Sequence, residues 1–304
     1  MKAPDLLTPT LWKDYELIDS GRFEKLERFG SRTLRRPEPQ AIWEKSLPEE
    51  EWRRLADCTF RREGRSEDRG EWICPPRMSD RWSVEYRYRE MSLRMRLGLT
   101  SFKHVGLFPE QAENWNFIYD SVRRIAAGTS RSETPGRPRV LNLFAYTGGA
   151  SLAACAAGAE VTHVDSVKQV VSWSRENMEA SGLDGIRWIV DDALKFVRRE
   201  VKRGRIYEGL ILDPPAYGRG PEGERWILEE QITELLGLCS RLLAPGPSFL
   251  VLNLYSMGLS ALLAKSAVNQ LFGPAADEQF GELYFTDRAG KALPLGVYYR
   301  FFRN

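Results

Sequence analysis

Four short stretches hold the residue types best suited to chemistry. The first is "NLFAYTGGAS" at 142–151, where two adjacent glycines follow an apolar run and open an Ala-rich one. The second is "VTHVDS" at 161–166, which places Asp165 at the end of an apolar run. The third is "VDDALKF" at 190–196, with Asp191 and Asp192 side by side. A carboxylate in the position of Asp165 can accept hydrogen bonds from both hydroxyls of a ribose, and an acid near 192 can hold an adenine amino group. A glycine turn beside them lets a small ligand approach bare backbone. Together the three describe a nucleoside pocket. The fourth stretch, "LILDPPAYGRG" at 210–220, ends an apolar run in Asp213-Pro214-Pro215-Ala216-Tyr217. The prolines remove two backbone donors, so acceptors remain: the Asp213 carboxylate and nearby carbonyls. Acceptors suit an amino group held for reaction, and Tyr217 can stack on a planar base.

These stretches need a scaffold that brings the ends of several apolar runs together. From residue 139 onward, short apolar runs alternate with helical patterns. Strands are expected at 140–144, 161–164, 186–190, 209–212 and 249–252. Helices are expected at 149–157, 168–181, 193–202, 226–243 and 259–271, and two further strand-like runs at 278–285 and 297–302. Strands alternating with helices imply an α/β fold with a mostly parallel sheet covered on both faces. Ligands then bind beyond the carboxyl ends of the strands, where all four stretches fall.

Residues 1–100 read differently, as a small, mostly β N-terminal domain. Trp82, Val84, Tyr86 and Tyr88 alternate with Ser83, Glu85 and Arg87, and Leu93, Met95 and Leu97 alternate with Arg94 and Arg96. Period two marks half-buried strands. The stretch 61–71 reads as a solvated loop. Residues 101–138 connect the two parts through a helix at 111–126 and a Gly/Ser/Pro-rich linker at 128–139.

The 304 residues suit one large domain with an added module. The termini and the absence of a long apolar run predict no transmembrane helix, no signal peptide and a cytoplasmic location. The 44 basic and 42 acidic side chains nearly cancel, so any basic surface must be a local patch. Arg87, Arg89, Arg94 and Arg96 are the arginines that could form one. The four cysteines and two histidines lack metal-ligand spacing, so no metal site is expected; Cys58, Cys74, Cys155 and Cys239 read as buried free thiols. His163 reads as a packed core residue.

Among nucleoside cofactors, a dinucleotide calls for G-x-G-x-x-G at the helix start. The run Thr147-Gly148-Gly149-Ala150-Ser151 does not fit it. S-adenosyl-L-methionine carries no phosphate and tolerates this turn. In order and spacing, "NLFAYTGGA", "VTHVDS", "VDDALKF" and "LILDPPAYG" resemble the successive motifs of class I S-adenosylmethionine-dependent methyltransferases. F-x-Y-T-G-G with D-P-P is similar, more narrowly, to the bacterial large-subunit ribosomal RNA methyltransferases that modify cytosine C5 or guanine N7. The resemblance covers roughly residues 100–304. It implies a Rossmann-like sheet of seven strands, mostly parallel, with the last strand antiparallel. It also implies Asp165 and Ser166 at the ribose and Asp191, Asp192 and Ala193 at the adenine. Phe144, Ala145, Tyr146, Thr147, Gly148 and Gly149 would surround the methionine part, and Asp213, Pro214, Pro215 and Tyr217 would face the acceptor. The segment 102–115 resembles the family's G-x-F-x-D-Q-R stretch, although Pro109-Glu110-Gln111 departs from it; Lys103, Phe108 and Gln111 are its candidates for lining the pocket.

One departure bears on the acceptor. Methylating cytosine C5 requires a thiolate that adds to C6 first. Family members that do so carry a cysteine after strand five, where this chain has Leu252-Asn253-Leu254-Tyr255-Ser256. A base nitrogen needs no covalent step, only positioning for displacement at the methyl group, with Asp213 holding an amine and Asn253 and Tyr255 orienting it. The expected function is therefore methylation of a base nitrogen in RNA, most readily ribosomal RNA. A protein or small-molecule acceptor, or cofactor binding without turnover, is the alternative. Oligomeric state is not legible.

Overall fold

In the computed structural model, residues 3–64, 68–129, 136–255 and 258–304 are described. Ser256, the centre of the 61–71 loop and the middle of the 128–139 linker lie outside them. The chain divides into two compact units. The larger takes Met1–Leu7, Gln111–Leu283 and Leu295–Asn304, and the smaller takes Thr8–Glu110 and Tyr284–Pro294.

The larger unit is built on an eight-stranded sheet. Its order is Asp5–Leu7, Asp277–Thr286, Ala292–Arg303, Ser248–Leu254, Gly209–Leu212, Arg139–Leu143, Glu160–Asp165 and Arg187–Val190. The seven strands expected from the family resemblance are present, and the penultimate stretch of chain inserts beyond the last strand. Ala292–Arg303 runs antiparallel to Ser248–Leu254, while the strands from Ser248–Leu254 through Arg187–Val190 pair in parallel. The eighth strand, Asp5–Leu7, pairs in parallel with Gly281–Leu283. Three residues at the start of the chain thus belong to the large sheet, which the sequence boundaries at 100 and 138 did not anticipate. A three-residue edge strand carries too little periodicity to be read.

The central strands are buried on both faces. Gly209–Leu212 and Ser248–Leu254 have no exposed residue. Parallel strands covered by helices lose water on both sides, so they read as continuous apolar runs rather than alternations. The core joins Leu141, Leu143, Leu210, Leu212, Leu250 and Leu252 of these strands to Phe196, Leu235 and Leu236 of the covering helices. The helix expected at 226–243 is shorter, Leu228–Ser240, because Arg225–Ile227 instead pairs with Tyr217–Arg219 as a small antiparallel hairpin.

The smaller unit contains a five-stranded sheet of Tyr15–Gly21, Glu24–Phe29, Arg32–Pro37, Cys58–Arg62 and Gly70–Ile73. It also contains a two-stranded sheet, Arg81–Tyr88 with Met91–Gly98. A short helix, Glu49–Leu55, buries Trp52 within this unit. The expectation of four free thiols is corrected here: Cys58 and Cys74 are joined in a disulfide, and only Cys155 and Cys239 are free. The two partners stand on neighbouring antiparallel segments, sixteen residues apart in sequence, a proximity that spacing alone does not reveal.

Candidate active site

The glycine turn follows the Arg139–Leu143 strand, and its backbone is unusual. Phe144, Tyr146 and Gly148 all have left-handed φ values, 55°, 49° and 92°. A non-glycine residue in this region costs about 1–3 kcal/mol, so the surroundings must hold it. They do so from several sides. The Tyr146 amide donates to Asp165 Oδ2 at 2.9 Å. The Tyr146 carbonyl accepts from Ser174 Oγ at 2.6 Å, and the Thr147 carbonyl accepts from Asn177 Nδ2 at 2.9 Å. Ser174 and Asn177 lie on the helix Lys168–Ala180, three residues apart and therefore on one face. Phe144 packs its ring on Trp226, 4.9 Å between centroids.

The two glycines have separate jobs. Gly148 supplies the positive φ and a close approach, since a Cβ there would stand 3.2 Å from the Ser174 Cβ. A Cβ on Gly149 would fall 2.5 Å from the ring of Trp115. The bare backbone at Gly149 is therefore filled from within, by an indole on the helix Ala112–Thr129.

His163 is buried behind the turn, between Ser151 Oγ at 3.0 Å and Ser174 Oγ at 3.4 Å, with its ring against Trp188. Burial pushes its pKa down to about 3, so it is neutral and serves the packing.

Asp165 lies at the end of the neighbouring strand. Its second oxygen accepts the Val167 amide at 2.9 Å. Burial raises its pKa, opposed by the amides of Val167, Tyr146 and Ser166. A carboxylate offers about four lone-pair sites, so these bonds leave room for ribose hydroxyls. On the next strand end, Asp191 pairs with Arg199, and the Asp191 amide donates to the Asp165 carbonyl at 3.1 Å. Asp192 is the N-cap of the helix Ala193–Lys202, accepting the Lys195 amide at 2.8 Å. Its side chain thus has a structural use that the sequence reading, which gave it to an adenine, did not see. Ala193 begins that helix and is buried; Ser166 lies between Asp165 and Val167 at the turn.

Asp213 ends the Gly209–Leu212 strand, with its amide directed at the Leu143 carbonyl, 3.4 Å away. Burial alone pushes its pKa up to about 6. No cation neutralises it among the described residues. Pro214 is buried, whereas Pro215 and Tyr217 are exposed, the latter by 53%. The Pro215 carbonyl accepts from Trp226 Nε1 at 2.7 Å, and the Ala216 carbonyl accepts the Leu228 amide. Two of the carbonyls that the sequence offered as acceptors are therefore committed to the fold, which leaves the Asp213 carboxylate as the stronger candidate.

Gln111 stands in the larger unit and accepts from Asn114 Nδ2 at 3.1 Å; the same Asn114 donates to Asn253 Oδ1 at 2.9 Å. Asn253 is thus tied into the sheet, and Tyr255 lies just beyond the strand, partly exposed. Lys103 and Phe108 fall in the smaller unit. There Lys103 pairs with Asp68 at 2.8 Å, and Phe108 lies 5.2 Å from the ring of His104.

The larger unit therefore aligns a glycine turn, the Asp165 carboxylate and Asp213, an acid with no side-chain partner among the described residues, along the carboxyl ends of adjacent parallel strands. This arrangement, on a sheet with one antiparallel strand, is the layout of a methyl-transfer enzyme that binds a nucleoside cofactor. A model of the S-adenosylmethionine-dependent methyltransferase family matches residues 57–272, and the chain belongs to that family. The chain superimposes on an S-adenosylmethionine-dependent methyltransferase from Agrobacterium tumefaciens with a TM-score of 0.88 and 34% identity, covering 100% of this chain and 95% of that one. A protein from Streptococcus mutans described as a putative methyltransferase shares the fold at a TM-score of 0.69 and 15% identity. Among curated relatives, ribosomal RNA large subunit methyltransferase K/L of Shewanella frigidimarina is 29% identical over 178 residues, 57% of this chain and 23% of its own. Ribosomal RNA large subunit methyltransferase I of Aeromonas salmonicida is 31% identical over 176 residues, 53% of this chain and 42% of its own. The chain thus spans well under half the length of these curated relatives. Its cofactor is S-adenosyl-L-methionine, which supplies an electrophilic methyl group on a sulfonium.

No helix among the described residues is long and apolar enough to cross a membrane.

Proposed function

We propose that this enzyme methylates a nitrogen of a base in RNA, with ribosomal RNA as the first candidate. The observation that carries the reading is Asp213, a half-buried carboxylate at a strand end with neither a cation nor a hydrogen-bond donor on its side chain among the described residues. Ionised, it accepts a hydrogen bond from an acceptor amine and orients the nitrogen lone pair toward the methyl group. Tyr217 presents an exposed ring four residues further on, suited to stacking against a splayed base. Displacement at a sulfonium releases a neutral thioether, so no general acid is needed, and the proton of the methylated nitrogen passes to Asp213 and on to water. The Phe144–Gly149 turn and Asp165 bind and orient the cofactor; Lys103, Phe108, Gln111, Ser166, Asp191, Asp192 and Ala193 remain candidates for lining it.

Carbon methylation of cytosine is disfavoured by the thiols. Cys58 and Cys74 are in a disulfide in the smaller unit. Burial raises the thiol pKa of both Cys155 and Cys239, and Cys155 donates to the Asp184 carbonyl. None offers a thiolate for attack on C6. The names of the curated relatives support an RNA acceptor.

The test is transfer of labelled methyl from S-adenosylmethionine into fractionated extract of cells lacking this gene. Label in ribosomal RNA, lost with Asp213→Ala, followed by nucleoside analysis showing an N-methylated base, is the expected result. A 5-methylcytosine product, or label in protein or small molecules, would overturn it.

A further inference from the structure

One side chain of the larger unit meets both halves of the candidate site. Trp226 lies on the second strand of the Tyr217–Arg219/Arg225–Ile227 hairpin, opposite Gly218, and is 2% exposed. Its Nε1 donates to the Pro215 carbonyl at 2.7 Å. Its ring centroid lies 4.9 Å from that of Phe144, with the planes tilted by 53°. Pro215 stands in the middle of Asp213–Tyr217, the stretch read as facing the acceptor. Phe144 opens the glycine turn, the stretch read as holding the cofactor. A single indole therefore bridges the two.

Burial alone does not call for this bridge. A buried tryptophan fills space and needs a partner for its N–H, and any nearby carbonyl would serve. Here the partner belongs to a stretch that is poor in ties of its own. Pro214 and Pro215 have no amide to donate, and Pro215, Ala216 and Tyr217 are exposed. Backbone bonds flank the stretch: the Asp213 amide is 3.4 Å from the Leu143 carbonyl, and the Ala216 carbonyl accepts the Leu228 amide. On the other side, Phe144 sits at a left-handed φ of 55°, a conformation that its surroundings must hold. The hairpin that carries Trp226 is itself fixed by Lys195 of the helix Ala193–Lys202, which pairs with Glu222 and Glu224.

We infer that Trp226 is a positioning residue for methyl transfer. Its N–H sets the acceptor-facing stretch and its ring sets the cofactor turn, so Asp213 and the methyl donor keep a fixed spacing. The inference rests on the active-site reading proposed above. Displacement needs the reacting atoms about 3–3.5 Å apart and in line, and a shift of ~1 Å at a support costs on the order of 100-fold in rate. Trp226 touches neither reactant in this scheme; it acts through Pro215 and Phe144.

The test has two arms, both on the full chain. The first is hydrogen exchange with S-adenosylhomocysteine bound. Trp226→Phe keeps a ring against Phe144 and loses the N–H, so exchange over 216–219 should quicken about 10-fold while 144–149 stays as in wild type. Trp226→Leu loses both contacts, so both segments should exchange faster and S-adenosylhomocysteine should bind about 10-fold more weakly by calorimetry. The second arm is methyl transfer to unmodified large-subunit ribosomal RNA. There Trp226→Phe should lower kcat about 100-fold at an unchanged KM for S-adenosylmethionine. A side chain that only fills the core would instead move both segments together in Trp226→Phe, or neither. Either pattern overturns the positioning role, as does a wild-type kcat in that variant. Wild-type protein that transfers no methyl to RNA overturns the RNA reading alone, and the exchange arm still decides the role of Trp226.

Discussion

Glu27 in the smaller unit and Asp213 in the larger are carboxylates drawn away from water that meet opposite surroundings. In the smaller unit, Glu27 accepts from Tyr15 at 2.7 Å and from Arg36 at 2.8 Å, and Lys25 Nζ lies 3.5 Å away. Burial pushes the Glu27 pKa up, but Arg36, Lys25 and the tyrosine hydroxyl outweigh it, so the group stays ionised. Asp19 follows the same pattern: burial is outweighed by Lys291, the Leu47 and Ser46 amides and the Trp52 indole. In the larger unit, Asp213 meets burial with no such compensation and rises to about 6, and Asp165 also rises. Internal cations satisfy a carboxylate that builds the fold. A carboxylate left without one is electrostatically open to a cationic ligand or to a donor brought by an acceptor. On the proposed reading, catalysis and architecture use the same residue type, and the neighbours decide which role it takes.

The sharpest way to break this contrast is one chemical change, carboxylate to carboxamide, made at both places. Asp213→Asn should lower kcat by roughly 100- to 1000-fold, the scale of losing one key polar contact in the transition state. Its melting temperature should hold or rise, because a half-buried charge without a cation beside it has been removed. Glu27→Gln should behave conversely, losing about 3–5 kcal/mol in urea unfolding, because Arg36 and Lys25 would be left buried without their counter-charge. Equal stability losses at both sites would refute the contrast.

The pH dependence sharpens it further. Methyl transfer should fall tenfold per pH unit below about 6, as Asp213 takes up its proton, and Asp213→Asn should remove that limb. Linkage gives opposite signs for stability. The Asp213 pKa is raised in the folded state, so its contribution improves as pH falls from about 6 toward the ordinary aspartate value. The Glu27 pKa is lowered, so its contribution is present above the ordinary glutamate value and is lost as pH falls through the folded one. Difference unfolding curves of the two variants against wild type should diverge in sign, the Asp213 effect changing between pH 7 and about 4 and the Glu27 effect only below the ordinary glutamate value.

A smaller effect is expected at the turn. Gly149→Ala should cost about 1–3 kcal/mol of stability through displacement of Trp115, and should weaken S-adenosylhomocysteine binding measured by calorimetry. Smaller again is Tyr217→Ala, with a KM for RNA raised about 10-fold and Tyr217→Phe close to wild type, as stacking without a hydroxyl role requires. Loss of activity in Tyr217→Phe would instead give the hydroxyl a chemical task.

The row of strand ends was legible because each is a short apolar run closed by an acid, and parallel central strands leave that mark. Asp165 and Asp213 could be placed from it directly. The supports of the turn were not legible. Trp115 reaches Gly149 across more than thirty residues, and Ser174 and Asn177 look like ordinary polar positions of a surface helix until their face is known. Asp192 also has a local role that its sequence position allows: an aspartate before Ala193 is equally an N-cap, and the fold uses it so. The Tyr217–Arg219/Arg225–Ile227 hairpin escaped because its second strand reads as the first turn of a helix. The disulfide and the discontinuous smaller unit were hidden because long-range pairing leaves no periodicity.

That discontinuity has a consequence for the order in which the protein can be made. Asp19 accepts from Lys291, 272 residues further along the chain, and Ser20 Oγ donates to Asp287. At about 5–20 residues per second, a ribosome delivers Lys291 roughly 10–50 s after Asp19. Through that interval the smaller unit holds an acid whose counter-ion has not yet been synthesised. Its closure therefore waits for the Tyr284–Pro294 segment, long after most of the unit's own sequence has emerged.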